Sequence, residues 1–296
     1  MASRARSLLL GLGLAAGLLL AFLVTVWMLM AVLEDGSLPG GPRIAVVEID
    51  GIILDGDGVV RELREHAENP AVKAVVVRVN SPGGVVGPTQ EIVGSIERVR
   101  KAGKPVVASF GSVAASGGYY VGIAADRIFA NPGTLTGSIG VIMQMANVEN
   151  LLKKVGVEYV VIKAGAYKDV GNFSRAMTPE ERRILQALLD DVYGQFVSAV
   201  ARGRGLDEAT VRGFADGRIY SGRQAHALKM VDELGGFEEA VEAAAKLSGI
   251  PGKPKVIFPR RRFSFFDLVR NQLGIGGPSA LLPTLPTLRT PLYLMY

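Results

Sequence analysis

A long apolar run near the N-terminus restricts this chain more than any other feature. From Leu8 to Leu33 the sequence contains no charged residue. As a helix at about 1.5 Å per residue, the run would be roughly 39 Å long, and the hydrocarbon core of a bilayer is about 30 Å thick. The sequence therefore predicts a membrane-spanning helix, with residues 8–33 in contact with lipid.

A cleaved signal peptide is the alternative interpretation of this run. Signal peptides have apolar regions of about 7–15 residues followed by a cleavage site of small residues. The run here is longer and ends in Met30–Leu33 without an A-x-A pattern, which favours an uncleaved anchor. Arg4 and Arg6 precede it, and Glu34 and Asp35 follow it. The positive-inside tendency therefore predicts a single-pass protein of the cell membrane, with a cytoplasmic N-terminus and an extracytoplasmic main domain.

Composition along the chain predicts four segments. Residues 1–34 form the tail and anchor, and the Gly- and Pro-rich residues 35–42 form a linker. Residues 43–250 form the folded domain. Residues 251–296 form a C-terminal extension, which is rich in Leu, Pro, Gly and Thr from Gly274 onward and is therefore expected to be partly irregular.

Within the folded domain, strand-like and helix-like stretches alternate. The predicted strands are Ile44–Ile49, Val72–Val79, Pro105–Phe110, Arg127–Ala130 and Glu158–Lys163. The predicted helices are Val60–Asn69, Thr89–Lys101, Ser116–Ala125, Asn147–Val155, a long helix from Pro179 to about Arg202, and three shorter ones at Asp207–Phe214, Ser221–Leu228 and Gly236–Leu247. Several strands are nearly continuous Val and Ile, which is typical of a sheet that is covered on both faces. The pattern predicts an α/β domain with a largely parallel sheet.

Composition also excludes several kinds of chemistry. The net charge is +5, but no basic stripe is interleaved with aromatic residues, so we expect no nucleic-acid partner. The chain has no cysteine, which removes thiol nucleophiles, disulfides and zinc–thiolate sites. Its two histidines, His66 and His226, lie in ordinary helical contexts. A Ser–His–Asp triad and a two-histidine metal site are therefore disfavoured, we expect neither a metal nor a cofactor, and a serine nucleophile would need a lysine base.

Two glycine-containing loops are the candidates for a hydrolytic site. Ser116 stands between an apolar strand and a helix, where free backbone N–H groups favour negative charge. The alternative is a serine N-cap beside a glycine packing contact, and this stretch alone leaves both interpretations open. Asn80–Gly84 follows another strand and can direct backbone N–H groups toward a ligand, although a simple tight turn is the alternative there.

These loops belong to a set of six ordered motifs that carry a family resemblance. The motifs are Asn80–Gly84 (NSPGG), Ala115–Tyr120 (ASGGYY), Pro132–Val141 (PGTLTGSIGV), Ala166–Asp169 (AYKD), Gly217–Ala225 (GRIYSGRQA) and Val231–Gly236 (VDELGG). Together they resemble the short form of the signal peptide peptidase A family of serine peptidases. The resemblance implies a Clp/crotonase-like α/β fold, of the ββα-superhelix type, after the transmembrane helix.

The resemblance also implies the roles of individual residues. Ser116 matches the nucleophile and Lys168 its general base, and their separation, 168 − 116 = 52 residues, fits the short form. Ser138 matches a serine that hydrogen-bonds the lysine amine. Gly83 matches the backbone donor of the oxyanion hole, and the Gly117 N–H is the expected second donor.

Chemistry imposes one condition on these roles. An ordinary lysine has a pKa near 10.4 and is a poor base at neutral pH, but burial can lower a lysine pKa by up to about 3–5 units. Lys163 is a competing candidate for the base. With either lysine, the expected route passes through an acyl-enzyme formed on the serine.

The function implied by the resemblance is an endopeptidase that degrades signal peptides left in the membrane after export. It implies apolar peptide substrates and a homo-oligomer with sites near the subunit interfaces, where Ser116 and Lys168 can come from different protomers. Three alternatives are weighed: a related peptidase for membrane-protein quality control, crotonase-like chemistry on coenzyme A thioesters, and a non-catalytic membrane scaffold. The complete set of Ser116, Lys168, Ser138 and Gly83 argues against the last two.

Overall fold

The computed structural model describes residues 13–27, 41–259 and 292–294. Met1–Pro42 and Arg43–Tyr296 are separate compact units. In the first unit, residues 13–27 are helical (α1). Within the described ranges, no helix combines the length and the apolar character that crossing a bilayer requires. Residues 8–12 and 28–33 of the predicted anchor lie outside the described residues.

The second unit is an α/β domain. Its strands are β1 (Arg43–Asp50), β2 (Val72–Ser81), β3 (Gly83–Val85), β4 (Val106–Ala115), β5 (Arg127–Ala130), β6 (Leu135–Gly137), β7 (Ile219–Ser221), β8 (Glu233–Leu234), β9 (Lys255–Ile257) and β10 (Leu292–Leu294). Its helices are α2 (Asp57–Glu68), α3 (Val86–Lys101), α4 (Gly117–Gly122), α5 (Glu149–Lys154), α6 (Pro179–Arg204), α7 (Glu208–Arg212), α8 (Gly222–Ala227) and α9 (Phe237–Leu247).

The main sheet is largely parallel, as predicted. Its strand order is β7-β6-β4-β2-β1-β9, with β5 paired to β4 and β8 paired to β5. Only the β6–β7 pair is antiparallel among the described pairs of this sheet. The continuous Val and Ile of β1 and β2 follow from burial on both faces: Ile44 and Val46 pack with α9, whereas Ala45 and Val47 pack in the cluster that includes α2, α3, α4 and α6.

On one side of β4, two different strands pair with its first and second halves. The first half of this strand, Val107 to Phe110, pairs with β5, and its last residues, Val113 to Ala115, pair with β6. The strand is longer than the predicted Pro105–Phe110 because the second pairing continues it to Ala115. The division matters for function because the next residue is Ser116.

The first turn of α6 has the predicted cap. The Thr178 side chain accepts a hydrogen bond from the Glu181 N–H at 3.2 Å, and the Glu181 carboxylate accepts one from the Thr178 N–H at 2.9 Å. Pro179 occupies the first helical position, where a missing N–H costs nothing. This reciprocal capping box fixes where the longest described helix begins.

One predicted strand does not form, and two strands form that the sequence did not predict. Glu158–Lys163 does not form a strand, because no other described strand lies beside it to supply hydrogen bonds. Its apolar side chains remain in solvent: Val160 is 71% exposed and Ile162 96%. Conversely, the extension after residue 251 contributes two strands that were not predicted, since β9 pairs with β1 and β10 pairs with β3.

Two glycines in helices, Gly122 and Gly194, allow the packing of α4 against β4 to be tested. A Cβ on Gly122 of α4 would lie 2.4 Å from the ring of the fully buried Phe110, whereas a Cβ on Gly194 of α6 would meet nothing within 4 Å. We therefore expect Gly122→Ala to lower the free energy of unfolding by about 1–3 kcal/mol through overpacking. Gly194→Ala should raise it by up to about 1 kcal/mol, because alanine favours a helix interior. Denaturant unfolding of both variants checks this, and equal effects would contradict the packing described.

Candidate active site

Ser116 occupies the turn between β4 and α4. Its backbone has φ 52° and ψ −116°, a conformation that costs a residue with a side chain on the order of 1–3 kcal/mol. The residue is fully buried, and its Oγ has no hydrogen-bond partner among the described residues. Leaving a buried hydroxyl unpaired costs about 1–3 kcal/mol more. Such strain at a strand-to-helix turn is typical of a serine held for reaction rather than for packing.

Ser138 lies beside this turn. Ala115 and Gly137, the last residues of β4 and β6, are paired in parallel, so Ser116 and Ser138 both follow directly from neighbouring strand ends. The Ser116 N–H donates to the Gly137 carbonyl at 2.7 Å. Ser138 also has positive φ, 50°, and is 8% exposed. Among the described residues other than glycine, only these two serines and Lys229 have positive φ. The structure therefore brings together two of the three predicted catalytic residues.

The glycines of β3 lie against the start of α4. A Cβ on Gly117 would be 3.1 Å from the Gly84 nitrogen and 3.2 Å from the Gly83 Cα, so the two backbones are in contact. Gly83 has φ 108°, which favours glycine. A Cβ on Gly84 would lie 2.0 Å from the Ile53 carbonyl oxygen, which excludes any side chain. The NSPGG motif is thus required for close approach of backbone to the turn at Ser116.

The hydrogen bonds of β3 show which of its backbone groups face outward. The Ile53 N–H donates to the Gly83 carbonyl at 2.9 Å, and the Val85 N–H donates to the Ile53 carbonyl at 2.8 Å. Because alternate residues of a strand direct these groups to opposite edges, Gly84 presents its N–H and C=O to the outer edge. Sequence analysis gave Gly84 no such role, since the signal lies in a contact with Ile53 that is remote in sequence.

The oxyanion roles of Gly83 and Gly117 stay predictions. In this structure the Gly83 N–H donates to the buried Ser81 Oγ at 3.1 Å. A developing oxyanion would have to replace or share that bond. Gly117 begins α4, where N–H groups lack partners within the helix and favour negative charge.

The structure does not bring Lys168 to Ser116 within one chain. Lys168 is exposed, its backbone N–H donates to the Gly165 carbonyl at 3.2 Å, and no hydrogen bond joins its amine to either serine of the site. Lys163, the competing candidate, is paired with the Asp169 carboxylate and donates to the Ala166 carbonyl at 2.8 Å. The Lys163 amine is thus bound by groups of its own segment, and no hydrogen bond joins it to Ser116 or Ser138.

A network of charged groups follows Lys168 directly. The Asp169 side chain, 10% exposed, accepts from Lys163 and, at 3.0 Å, from the Arg175 Nε. Arg175 also donates from Nη1 to the Glu181 Oε2 at 2.9 Å, and the Glu181 side chain is 4% exposed. The hydrogen bond from Lys163, followed by that from Arg175, lowers the pKa of Asp169. The bonds from Arg175 and then from the Thr178 N–H lower the pKa of Glu181 to about 2.

Sequence analysis did not identify this network. Its one available signal was Asp169 in the AYKD motif, and that motif drew attention only to the lysine.

An apolar surface lies beside Lys168. Between residues 155 and 167, Val155 is 62% exposed, Val160 71%, Ile162 96% and Tyr167 52%. Contiguous exposed apolar residues of this kind mark an interaction surface. The segment is the one for which the sequence predicted a strand.

Known proteins resemble the part of the chain that contains these residues. Residues 98–251, which include Ser116, Ser138 and Lys168, match the model of peptidase family S49. A protein of Synechocystis sp. with a protease designation is 49% identical over 210 residues, which cover 70% of this chain and 75% of the relative.

Two longer relatives match as well. Protease 4 of Salmonella typhi is 37% identical over 217 residues, covering 70% of this chain and 35% of the relative. The chloroplastic serine protease SPPA of Arabidopsis thaliana is 32% identical over 207 residues, covering 70% and 30%. The match thus spans about a third of these two proteins. With the resemblance of the six motifs confirmed in this way, the chain belongs to peptidase family S49 and is a serine peptidase.

Proposed function

We propose that this protein is a membrane-anchored endopeptidase that degrades signal peptides remaining in the membrane after export, with Ser116 as nucleophile and Lys168 as general base. The observation that carries the proposal is Ser116 itself, which is buried, unpartnered among the described residues and strained beside a glycine strand. The division of the sheet along β4 supports the Clp/crotonase-like form of the fold.

In the proposed mechanism, the Ser116 Oγ attacks the scissile carbonyl and its proton passes to the neutral amine of Lys168. Backbone N–H groups of Gly83 and Gly117 stabilise the oxyanion. Collapse of the tetrahedral intermediate breaks the C–N bond, and the leaving amine takes the proton from Lys168. Water then hydrolyses the acyl-enzyme by the same sequence of steps. The Ser138 hydroxyl holds the lysine amine in place.

We propose further that Lys168 completes the site of a neighbouring protomer in a homo-oligomer. Two observations support this: no hydrogen bond joins Lys168 to Ser116 in its own chain, and exposed apolar residues precede Lys168. Association would bury Val160 and Ile162 and give the segment Glu158–Lys163 a strand partner. Such a head-to-tail contact is heterologous and generates a ring when the rotation closes.

Three observations support apolar signal peptides as the substrate class. The run Leu8–Leu33 would place the catalytic unit at the membrane surface, with the N-terminus in the cytoplasm. A relative from Enterococcus faecium, 36% identical over 227 residues, carries the name of signal peptide peptidase SppA. Leu135 of β6 and Ile219 of β7, strands that lie next to Ser138, have exposed apolar side chains that suit an extended apolar peptide.

Complementation between inactive variants tests the mechanism. We expect Ser116→Ala and Lys168→Ala each to lose about 10³-fold or more of the hydrolysis of a fluorogenic apolar peptide. Co-expressed in equal amounts, the two should recover about a quarter of wild-type activity, because random assembly pairs an intact serine with a neighbour's intact lysine at that frequency. Lys154→Ala, which changes an exposed lysine on α5, is the matched control and should keep full activity.

Each other outcome has a definite meaning. Activity in Ser116→Ala would show that the nucleophile lies elsewhere. Inactive single variants without recovery on co-assembly would place the lysine and the serine in the same protomer. An inactive wild-type protein would favour the alternative of a non-catalytic membrane scaffold.

A further inference from the structure

We infer that Arg175 is a positioning residue that fixes the loop around Lys168, residues 165–172 (the Lys168 loop), to α6. The inference rests on the proposed role of Lys168 as the base. Arg175 lies between two buried carboxylates, one on each element that it joins: Asp169 directly follows Lys168 in sequence, and Glu181 stands in the first turn of α6. A planar guanidinium with several donors suits this bridge, since it can bind both acids at once.

Within residues 165–172 the backbone bonds are local, as from the Asn172 N–H to the Asp169 carbonyl at 3.0 Å and from the Val170 N–H to the Tyr167 carbonyl at 3.2 Å. The next backbone bond to another element is at Phe173, whose carbonyl accepts from the Val148 N–H at 2.7 Å. Residues 156–168 are exposed throughout. Asp169 is the first buried residue after this exposed stretch, so the contacts of its carboxylate determine where Lys168 is held.

The same helix also holds the nucleophile. The Phe196 ring of α6 packs edge-on against Tyr120 of α4, with centroids 4.9 Å apart. The Tyr120 N–H donates to the Ser116 carbonyl at 2.8 Å, one turn away. One helix therefore fixes the turn at Ser116 near its middle and the Lys168 loop at its start. If Lys168 acts in the active site of a neighbouring protomer, α6 determines the position from which Lys168 reaches that site.

Kinetics of Arg175→Met test this inference. Removing the guanidinium leaves two buried carboxylates without their shared partner and should free the loop. We expect kcat to fall about 10- to 100-fold because the base is misplaced, with KM unchanged within about twofold. Arg175→Lys, which keeps the charge and loses the planar fork, should give an intermediate kcat. Arg183→Met is the matched control, since Arg183 pairs on the same helix with Glu180 at 2.8 Å while its side chain is 74% exposed.

A second variant covers the case in which Arg175→Met does not fold. Asp169→Asn keeps the shape of the side chain and the Arg175–Glu181 bond, and it should also lower kcat and leave KM in place. Wild-type kcat in a folded Arg175→Met or Asp169→Asn protein would overturn the inference while leaving the proposed function intact. Full activity in Lys168→Ala would instead overturn the proposed function.

The network also predicts how stability depends on pH. The pKa of Glu181 is lowered from its ordinary 4.5 to about 2 in the folded state, so its contribution is complete above pH 4.5 and is lost as pH falls toward 2. We expect Glu181→Gln to be less stable than wild type at neutral pH and to have a flatter stability profile between these values. Acid titration of the free energy of unfolding checks this, and parallel profiles would contradict it.

Discussion

The strained turn at Ser116 is the constraint on which the rest of the site depends. Positive φ and a buried hydroxyl that has no partner among the described residues are unfavourable, and they persist because the surrounding contacts leave no alternative. The pairing of Ala115 with Gly137 fixes the strand that enters the turn. The backbone of β3, packed against Gly117, closes the other side. Stability elsewhere in the sheet thus offsets the cost of holding this serine.

Lys168, the proposed base, depends on a different kind of interaction. Strand pairing and close backbone contacts position Ser116, whereas charged hydrogen bonds position the loop that carries Lys168. Arg175 transmits the position of α6 to that loop through Asp169. An exposed loop beside an apolar surface can contact a second subunit. A residue packed in the core could not. The two proposed halves of the site therefore differ in burial as well as in chemistry.

Much of this architecture was predictable from the sequence because it follows local rules. The continuous Val and Ile of β1 and β2, and the cap at Thr178, each have a signature within a few residues. The motif around Ser116 was recognisable for the same reason. Features that depend on remote contacts were not predictable: the outward-facing Gly84 requires Ile53, and β10 requires β3.

The segment Glu158–Lys163 shows the opposite failure. Its Val-rich pattern is typical of a strand, but a strand forms only where a neighbour supplies hydrogen bonds. Within one chain that neighbour is absent from the described residues. A local pattern therefore predicted what the segment is suited to form, and not what one protomer can form alone.

Covalent labelling of the full-length protein tests the central claim, that Ser116 is held as an activated nucleophile. A fluorophosphonate reagent reacts with activated serines and leaves a stable adduct whose position peptide mass mapping identifies. We expect stoichiometric labelling at Ser116 in the native protein, loss of labelling after unfolding, and strongly slowed labelling in Lys168→Ala. An adduct on another serine, or equal labelling of native and unfolded protein, would contradict the claim.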